Sequence, residues 1–177
     1  TTLFRSWTRP NLHFAFFPLY PMSIKGIVML TGWSFDTAAF LSNIGILYFL
    51  VRYFYLFLLH FTMDEKKSYR IALLFLLFPF SLHIYFNYTE ALYFTLLMAS
   101  FLFIVRKQWW QLGLAGALLV LTRPNGLLVS VPLALFLLER NGTFAWTSIV
   151  KAFKKPAYYV LLTMPITFFA WCLFQQY

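Results

Sequence analysis

Residues 71–105 read IALLFLLFPFSLHIYFNYTEALYFTLLMASFLFIV, an apolar run that holds no Asp, Lys or Arg and a single Glu, Glu90. As a single helix rising 1.5 Å per residue it would extend ~50 Å, against a hydrocarbon core of ~30 Å. Cations stand at both ends, with Lys66, Lys67 and Arg70 before it and Arg106 and Lys107 after. Lys and Arg favour the cytoplasmic side of a membrane, so an even number of crossings should separate the two clusters. The run is expected to form a helical hairpin that turns at the polar cluster Asn87-Tyr88-Thr89-Glu90.

The rest of the 177-residue chain points the same way: it is 62% hydrophobic and 11% charged, with mean hydropathy +0.74. Soluble domains carry about a quarter charged residues, which excludes a cytosolic globular enzyme and a disordered tail. The net charge of +9 has no polar face to carry it, so a nucleic-acid partner is excluded as well. Cys172 is the only cysteine and lies in an apolar run, leaving no disulfide frame and no thiolate metal site. The 23 Phe and 11 Tyr suit lipid-facing bulk and interfacial anchoring.

Outside the hairpin, apolar runs lie at 37–61, interrupted by Arg52, and at 157–174, where Pro165 predicts a kink. Two short runs, 110–122 and 126–138, flank the turn Thr122-Arg123-Pro124-Asn125-Gly126 and are read as a re-entrant or shallow pair. The predicted class is therefore all-α, a polytopic transmembrane helical bundle of about five spans in one domain, 1–177. Within it, residues 1–36 are external or interfacial and 37–177 hold the membrane helices. Segments 62–70, 106–109 and 139–156 are expected on the cytoplasmic side, and the region before Thr37, 87–90 and 122–126 on the other. The localisation is integral and multi-pass, in a bacterial plasma membrane or the endoplasmic reticulum.

Charge at membrane depth costs at least ~2.5–3.5 kcal/mol, so each such residue needs a reason. Glu90 either sits at the positive end of the helix after the turn, with Asn87 or Thr89 as N-cap, or orients a substrate hydroxyl or a cation such as Arg123. If the backbone stays helical, His83, Asn87 and Glu90 share one face. Arg123 either snorkels to headgroups or holds a phosphate through paired guanidinium N–H bonds. Arg52 is read as snorkelling, Asp36 as the cap of the first span, and the two-proline stretch Phe14–Pro21 as an interfacial turn. The three histidines are scattered, so no metal site is expected.

Four elements occur in order: Phe16-Phe-Pro-Leu-Tyr-Pro21, Ser42-Asn43, Phe78-Pro79 leading to Tyr88-Thr-Glu-Ala-Leu92, and Thr122-Arg-Pro-Asn-Gly126. Together they resemble the PIG-V-type mannosyltransferases, which include a GPI mannosyltransferase and bacterial relatives. The resemblance covers most of 14–138. It implies a GT-C fold and an inverting transfer of mannose from a polyprenyl- or dolichyl-phosphate donor on the noncytoplasmic face. The acceptor would be a glycolipid, a glycan or a protein, with the lipid bilayer as the third partner and no cofactor beyond the donor. On this resemblance Glu90 would orient acceptor or sugar and Arg123 would hold the donor phosphate. Asn125 and Gly126 would let the backbone approach that phosphate, while His83, Asn87, Tyr88 and Tyr20 would line the cleft.

The family's catalytic carboxylate is expected in an external loop just before the Phe-Phe-Pro-Leu-Tyr-Pro element. Thr1–His13 contain no Asp or Glu, so the chain is expected to be either a fragment that lacks the first helix and that loop or a defective copy without the base. Two other classes fit the same pattern of short helices and polar turns: a multi-pass transporter or flippase-like protein, and a non-catalytic membrane scaffold.

Overall fold

A computed structural model describes residues 18–78, 89–140 and 156–174. Among the described residues every regular element is a helix: α1 (Leu19–Thr31), α2 (Phe35–Thr62), α3 (Glu65–Leu77), α4 (Thr89–Val105), α5 (Trp109–Thr122), α6 (Asn125–Leu128), α7 (Ser130–Arg140), α8 (Pro156–Leu161) and α9 (Thr163–Phe174). The all-α class is the one expected. Helix α2 is long and apolar enough to cross a membrane, and the other apolar helices are shorter.

Helix α4 is the centre, packed between α2 and α5. Ala91, Thr95 and Ala99 are buried at four-residue spacing, so small side chains form one seam along it. The Thr95 hydroxyl donates to the Ala91 carbonyl at 2.6 Å and faces the Ile46 carbonyl of α2 at 3.2 Å. Rings farther along keep the two helices parallel, with Tyr53 against Phe103 at 6.1 Å and Phe57 against Phe101 at 5.8 Å. Helix α3 returns along α2, bringing Phe54 and Phe75 within 4.8 Å. Helices α8 and α9 lean on α5 where it carries glycine: a Cβ on Gly113 would meet Val160 at 3.0 Å, and one on Gly116 would meet Met164 at 2.9 Å. The main core joins Ile104, Leu119, Leu133 and Met164 from α4, α5, α7 and α9.

This path puts the starts of α2 and α4 and the end of α5 at one end of the bundle. The α2–α3 and α4–α5 turns lie at the other. Lys66, Lys67, Arg106 and Lys107 fall at or beside those two turns.

Several boundaries differ from the sequence expectation, each for a local reason. Pro18 precedes α1 and Pro21 lies in its first turn, where a missing N–H breaks no helical bond, so 18–21 opens a helix. Ser34, not Asp36, caps α2, its hydroxyl accepting from the Thr37 N–H at 3.2 Å, while Asp36 sits in the first turn. The expected basic loop 62–70 is a tight turn at Met63 and Asp64 followed directly by α3. Helix α3 ends at Leu77, where Phe78 is extended (φ −66°, ψ 133°) ahead of Pro79. The polar cluster does begin the second arm, with Thr89 the first residue of α4. Helix α7 packs mainly on α4 and α8 and does not pair along α5 as the shallow-hairpin reading required. The last apolar run does break near Pro165: α8 ends at Leu161, the residue whose carbonyl the proline cannot bond.

Asp64 holds the α2–α3 turn. Its Oδ1 accepts from the backbone N–H groups of Lys66 (2.9 Å) and Lys67 (3.2 Å), and the Lys67 ammonium lies 3.7 Å from Oδ2. The Lys67 N–H, then the Lys66 N–H and the Lys67 charge, hold the carboxyl below its usual range. A depressed folded-state value means the stabilisation is full above the ordinary carboxylate pKa and is lost as pH falls through the lowered one. Asp64→Ala is expected to speed amide exchange at Lys66 and Lys67 at neutral pH, and Asp64→Asn to keep most of the protection. In the unmodified protein the same amides should lose protection only below the normal carboxylate range.

Candidate functional site

The end of the bundle that gathers the starts of α2 and α4 and the end of α5 holds the one long-range ion pair among the described residues. Arg123 Nη2 donates to Glu90 Oε1, and Arg123 Nε donates to Thr89 Oγ1 at 2.9 Å. Glu90 and Thr89 occupy the first turn of α4, where the helix dipole favours the carboxylate. Arg123 follows the last residue of α5 in an extended conformation (φ −156°, ψ 149°), which swings its side chain off the helix axis. Both of the roles open to Glu90 in the sequence are met together: it is an N-terminal acid and it faces Arg123.

The local chain explains why Arg123 stays there. Thr122 is buried and its hydroxyl donates back to the Leu119 carbonyl at 2.6 Å, closing the end of α5. Pro124 starts the next turn, and the Gly126 N–H donates to the Arg123 carbonyl at 2.9 Å. Gly126 is buried against α5, where a Cβ would lie 2.5 Å from the Leu119 carbonyl oxygen. The missing side chain of Gly126 thus admits the backbone of α5. Asn125 is exposed at the start of α6, on the same turn as Arg123.

The pair is neither dry nor fully wet, with side-chain exposures of 38% for Arg123 and 23% for Glu90. Exposed pairs are worth ~0–1 kcal/mol, while breaking a buried pair costs ~3–5 kcal/mol. This one belongs between them. Two groups are left over among the described residues: Glu90 Oε2 is buried without a hydrogen-bond partner there, and the guanidinium engages two of its five N–H donors with described residues. A carboxylate oxygen able to accept and a cation with free paired donors therefore stand side by side. Tyr93, one turn along α4 from Thr89 and Glu90, lies within the electrostatic reach of Arg123.

The remaining sequence candidates divide. Tyr20 is buried in a small cluster with Ile24, Ala38 and Ala39, against which Leu92 of α4 packs near this end. Its hydroxyl is buried without a partner. His83, Asn87 and Tyr88 lie outside the described residues. Arg52 is exposed on α2, far from the pair in sequence and on another helix. Among the described residues no three His, Cys, Asp or Glu side chains gather as a metal site would require. Thr89 is the residue that sequence reasoning missed as a partner of Arg123. The signal was present, since both polar turns were expected at one membrane face, but only packing of α4 on α5 says which groups meet.

No family model, no curated protein and no solved structure matches the chain. The site is therefore defined by its own geometry.

Replacing Arg123 with Ala leaves a largely buried carboxylate unpaired and is expected to cost about 1–3 kcal/mol in detergent-solubilised unfolding. A cycle of Glu90→Gln, Arg123→Gln and the double variant should show a coupling of about 0.5–3 kcal/mol. Gly126→Ala should cost about 1–3 kcal/mol through displacement of the α5 backbone.

Proposed function

We propose that this chain belongs to a polytopic membrane glycosyltransferase of the GT-C kind. It would move a sugar, mannose by the sequence resemblance, from a polyprenyl- or dolichyl-phosphate donor to an acceptor hydroxyl on the noncytoplasmic face. The observation that carries the reading is the ion pair of Glu90 with Arg123 across 33 residues, the one long-range salt bridge among the described residues.

The membrane setting is supported by where apolar surface lies. Only 6% of the most apolar stretch of α2 is buried, the reverse of a soluble protein's core helix. Phe40, Leu74, Ile166 and Phe169 are among many large apolar side chains left exposed on different helices. Water would penalise that surface heavily, whereas lipid would not. The basic turns at the end opposite the ion pair agree with a cytoplasmic placement for that end.

In the transfer, the acceptor oxygen attacks the anomeric carbon as the bond to the phosphate oxygen breaks. The lipid phosphate leaves with the electron pair, and the acceptor proton passes to a carboxylate. Arg123 is suited to the leaving phosphate, because its unused N–H donors can form a fork on two oxygens. Glu90, with Oε1 held by Arg123, would serve the acceptor hydroxyl through Oε2 once the acceptor opens that buried position. The pair would thus fix the distance between nucleophile and leaving group, an advantage that vanishes if either residue moves. Thr89 keeps the guanidinium plane from rotating.

A purely structural clasp is favoured by the same contact, since it ties two polar turns together. Sugar transfer by the full-length protein in membranes separates the two roles. Arg123→Ala should lower transfer about 10²–10³-fold, and Arg123→Lys should recover only a fraction. Glu90→Gln should lower it about 10²–10⁴-fold if Glu90 takes the proton, and by less if it only orients the hydroxyl. The exchanged pair, Glu90→Arg with Arg123→Glu, should keep the fold and lose transfer. Transfer at the original rate in the exchanged pair, or in Glu90→Gln and Arg123→Ala together, overturns the site.

A further inference from the structure

Arg52 stands apart from both the ion pair and the basic turns. It lies within the longest apolar helix, is exposed, and has no carboxylate within ion-pair distance among the described residues. A lone cation in such a position must meet water, a headgroup or a bound anion. It also lines the first of two adjoining hollows. One, of about 350 Å³, runs along α2 past Tyr48, Arg52 and Tyr55. The other, of about 180 Å³, lies between α2 and α3, shares Val51 and Tyr55 with the first, and continues along Tyr69, Leu73 and Leu76.

We infer that this groove seats an anionic glycerophospholipid of the bilayer. The inference rests on the membrane setting proposed above, not on the transfer reaction. Arg52 lies ten positions before Thr62, the end of α2 beside the basic turn, so its Cα is ~15 Å from that end along the axis. A helix of 28 residues is ~42 Å long and overshoots a ~30 Å core by about 6 Å at each end. The Cα of Arg52 is thus roughly 9 Å inside the core on the side of the α2–α3 turn, and its long side chain covers most of that depth.

At that level stand the tyrosines of the groove, Tyr55 on α2 and Tyr69 on α3, whose hydroxyls suit ester or glycerol oxygens. Leu73 and Leu76 lie deeper along α3, which enters from the basic turn and runs inward, and Val51 and Tyr48 lie deeper along α2. The order from the surface inward is the cation with the phenols of Tyr55 and Tyr69, then a wall that is apolar apart from Tyr48. A lipid presents the same order, phosphate and glycerol, then acyl chain. The charge decides which lipid. A zwitterionic headgroup already balances its own phosphate, whereas an anionic one brings a net negative charge that Arg52 can neutralise.

The test is lipid retention by the purified full-length protein in detergent, read by native mass spectrometry after addition of phosphatidylglycerol or phosphatidylcholine. The unmodified protein should retain phosphatidylglycerol about tenfold better, the effect of one charge-assisted contact worth about 1.4 kcal/mol. Arg52→Gln should bring retention to the phosphatidylcholine level, and Arg52→Lys should keep some of the preference. Leu73→Trp, which fills the groove and leaves Arg52 in place, should lower retention in the same way; it decides the matter should Arg52→Gln fail to purify as a folded monomer. An unmodified protein with no preference overturns the proposal. So does an undiminished preference in Arg52→Gln or Leu73→Trp, which would assign the lipid to Lys66, Lys67 and Arg70. Extraction of the native protein from membranes by alkaline carbonate without detergent would bring down the membrane setting itself, a separate failure.

Discussion

The close approach of α2 to α4 along Ala91, Thr95 and Ala99 is the constraint from which the rest of the arrangement follows. Side chains no larger than threonine let the backbone of α2 come near enough for the Thr95 hydroxyl to reach the Ile46 carbonyl. In an apolar setting helices gain little from burying hydrocarbon against each other, so shape and the few available hydrogen bonds govern their association. With α2 and α4 locked in parallel, α3 must return along α2 and α5 along α4. The start of α4 and the end of α5 then share one end of the bundle. Glycines at 113 and 116 have the same effect in the next layer, letting α8 and α9 settle against α5.

That end is where the polar residues matter. Glu90 at the start of α4 gains from the helix dipole, and Arg123 is held in an extended turn by Thr122 on one side and by the glycine-dependent contact with α5 on the other. Either residue alone would leave a partly buried charge without its partner. Together they neutralise each other and still leave one carboxylate oxygen and several guanidinium donors unengaged. A structural clasp would normally use up those groups, and a site must keep some free. This surplus is why the proposed reaction has its substrate there, while Arg52, unpaired and on the outer surface of the bundle, is assigned to lipid.

The sequence carried much of this plan. The cation clusters around 71–105 required a reversal, and the second arm does start in the polar cluster, at Thr89. Pro165 announced the break between α8 and α9. The start of α3 was misjudged because Glu65–Arg70 reads as a charged loop by composition, yet Asp64 caps it and the charged residues form the first turns of a helix. The end of α3 was misjudged because apolar continuity outweighed Pro79, although the residue before a proline is pushed out of the helical region whatever its hydropathy. The α1 start shows the converse, two prolines suggesting no helix where one of them occupies a first turn that tolerates it.

Helix class, the places where helices can start or stop, and the segregation of basic residues are properties of short stretches. Hydropathy, proline geometry and charge act within a few residues, so the sequence alone determined them. The partnership of Glu90, Thr89 and Arg123 is of another kind. It depends on how closely two helices approach, which small residues on α4 and Gly126 against α5 decide, and on which way an extended residue aims a long side chain. Those distances arise only when side chains from separated segments fill the same space, and that is why the tertiary structure alone made three polar residues into one site.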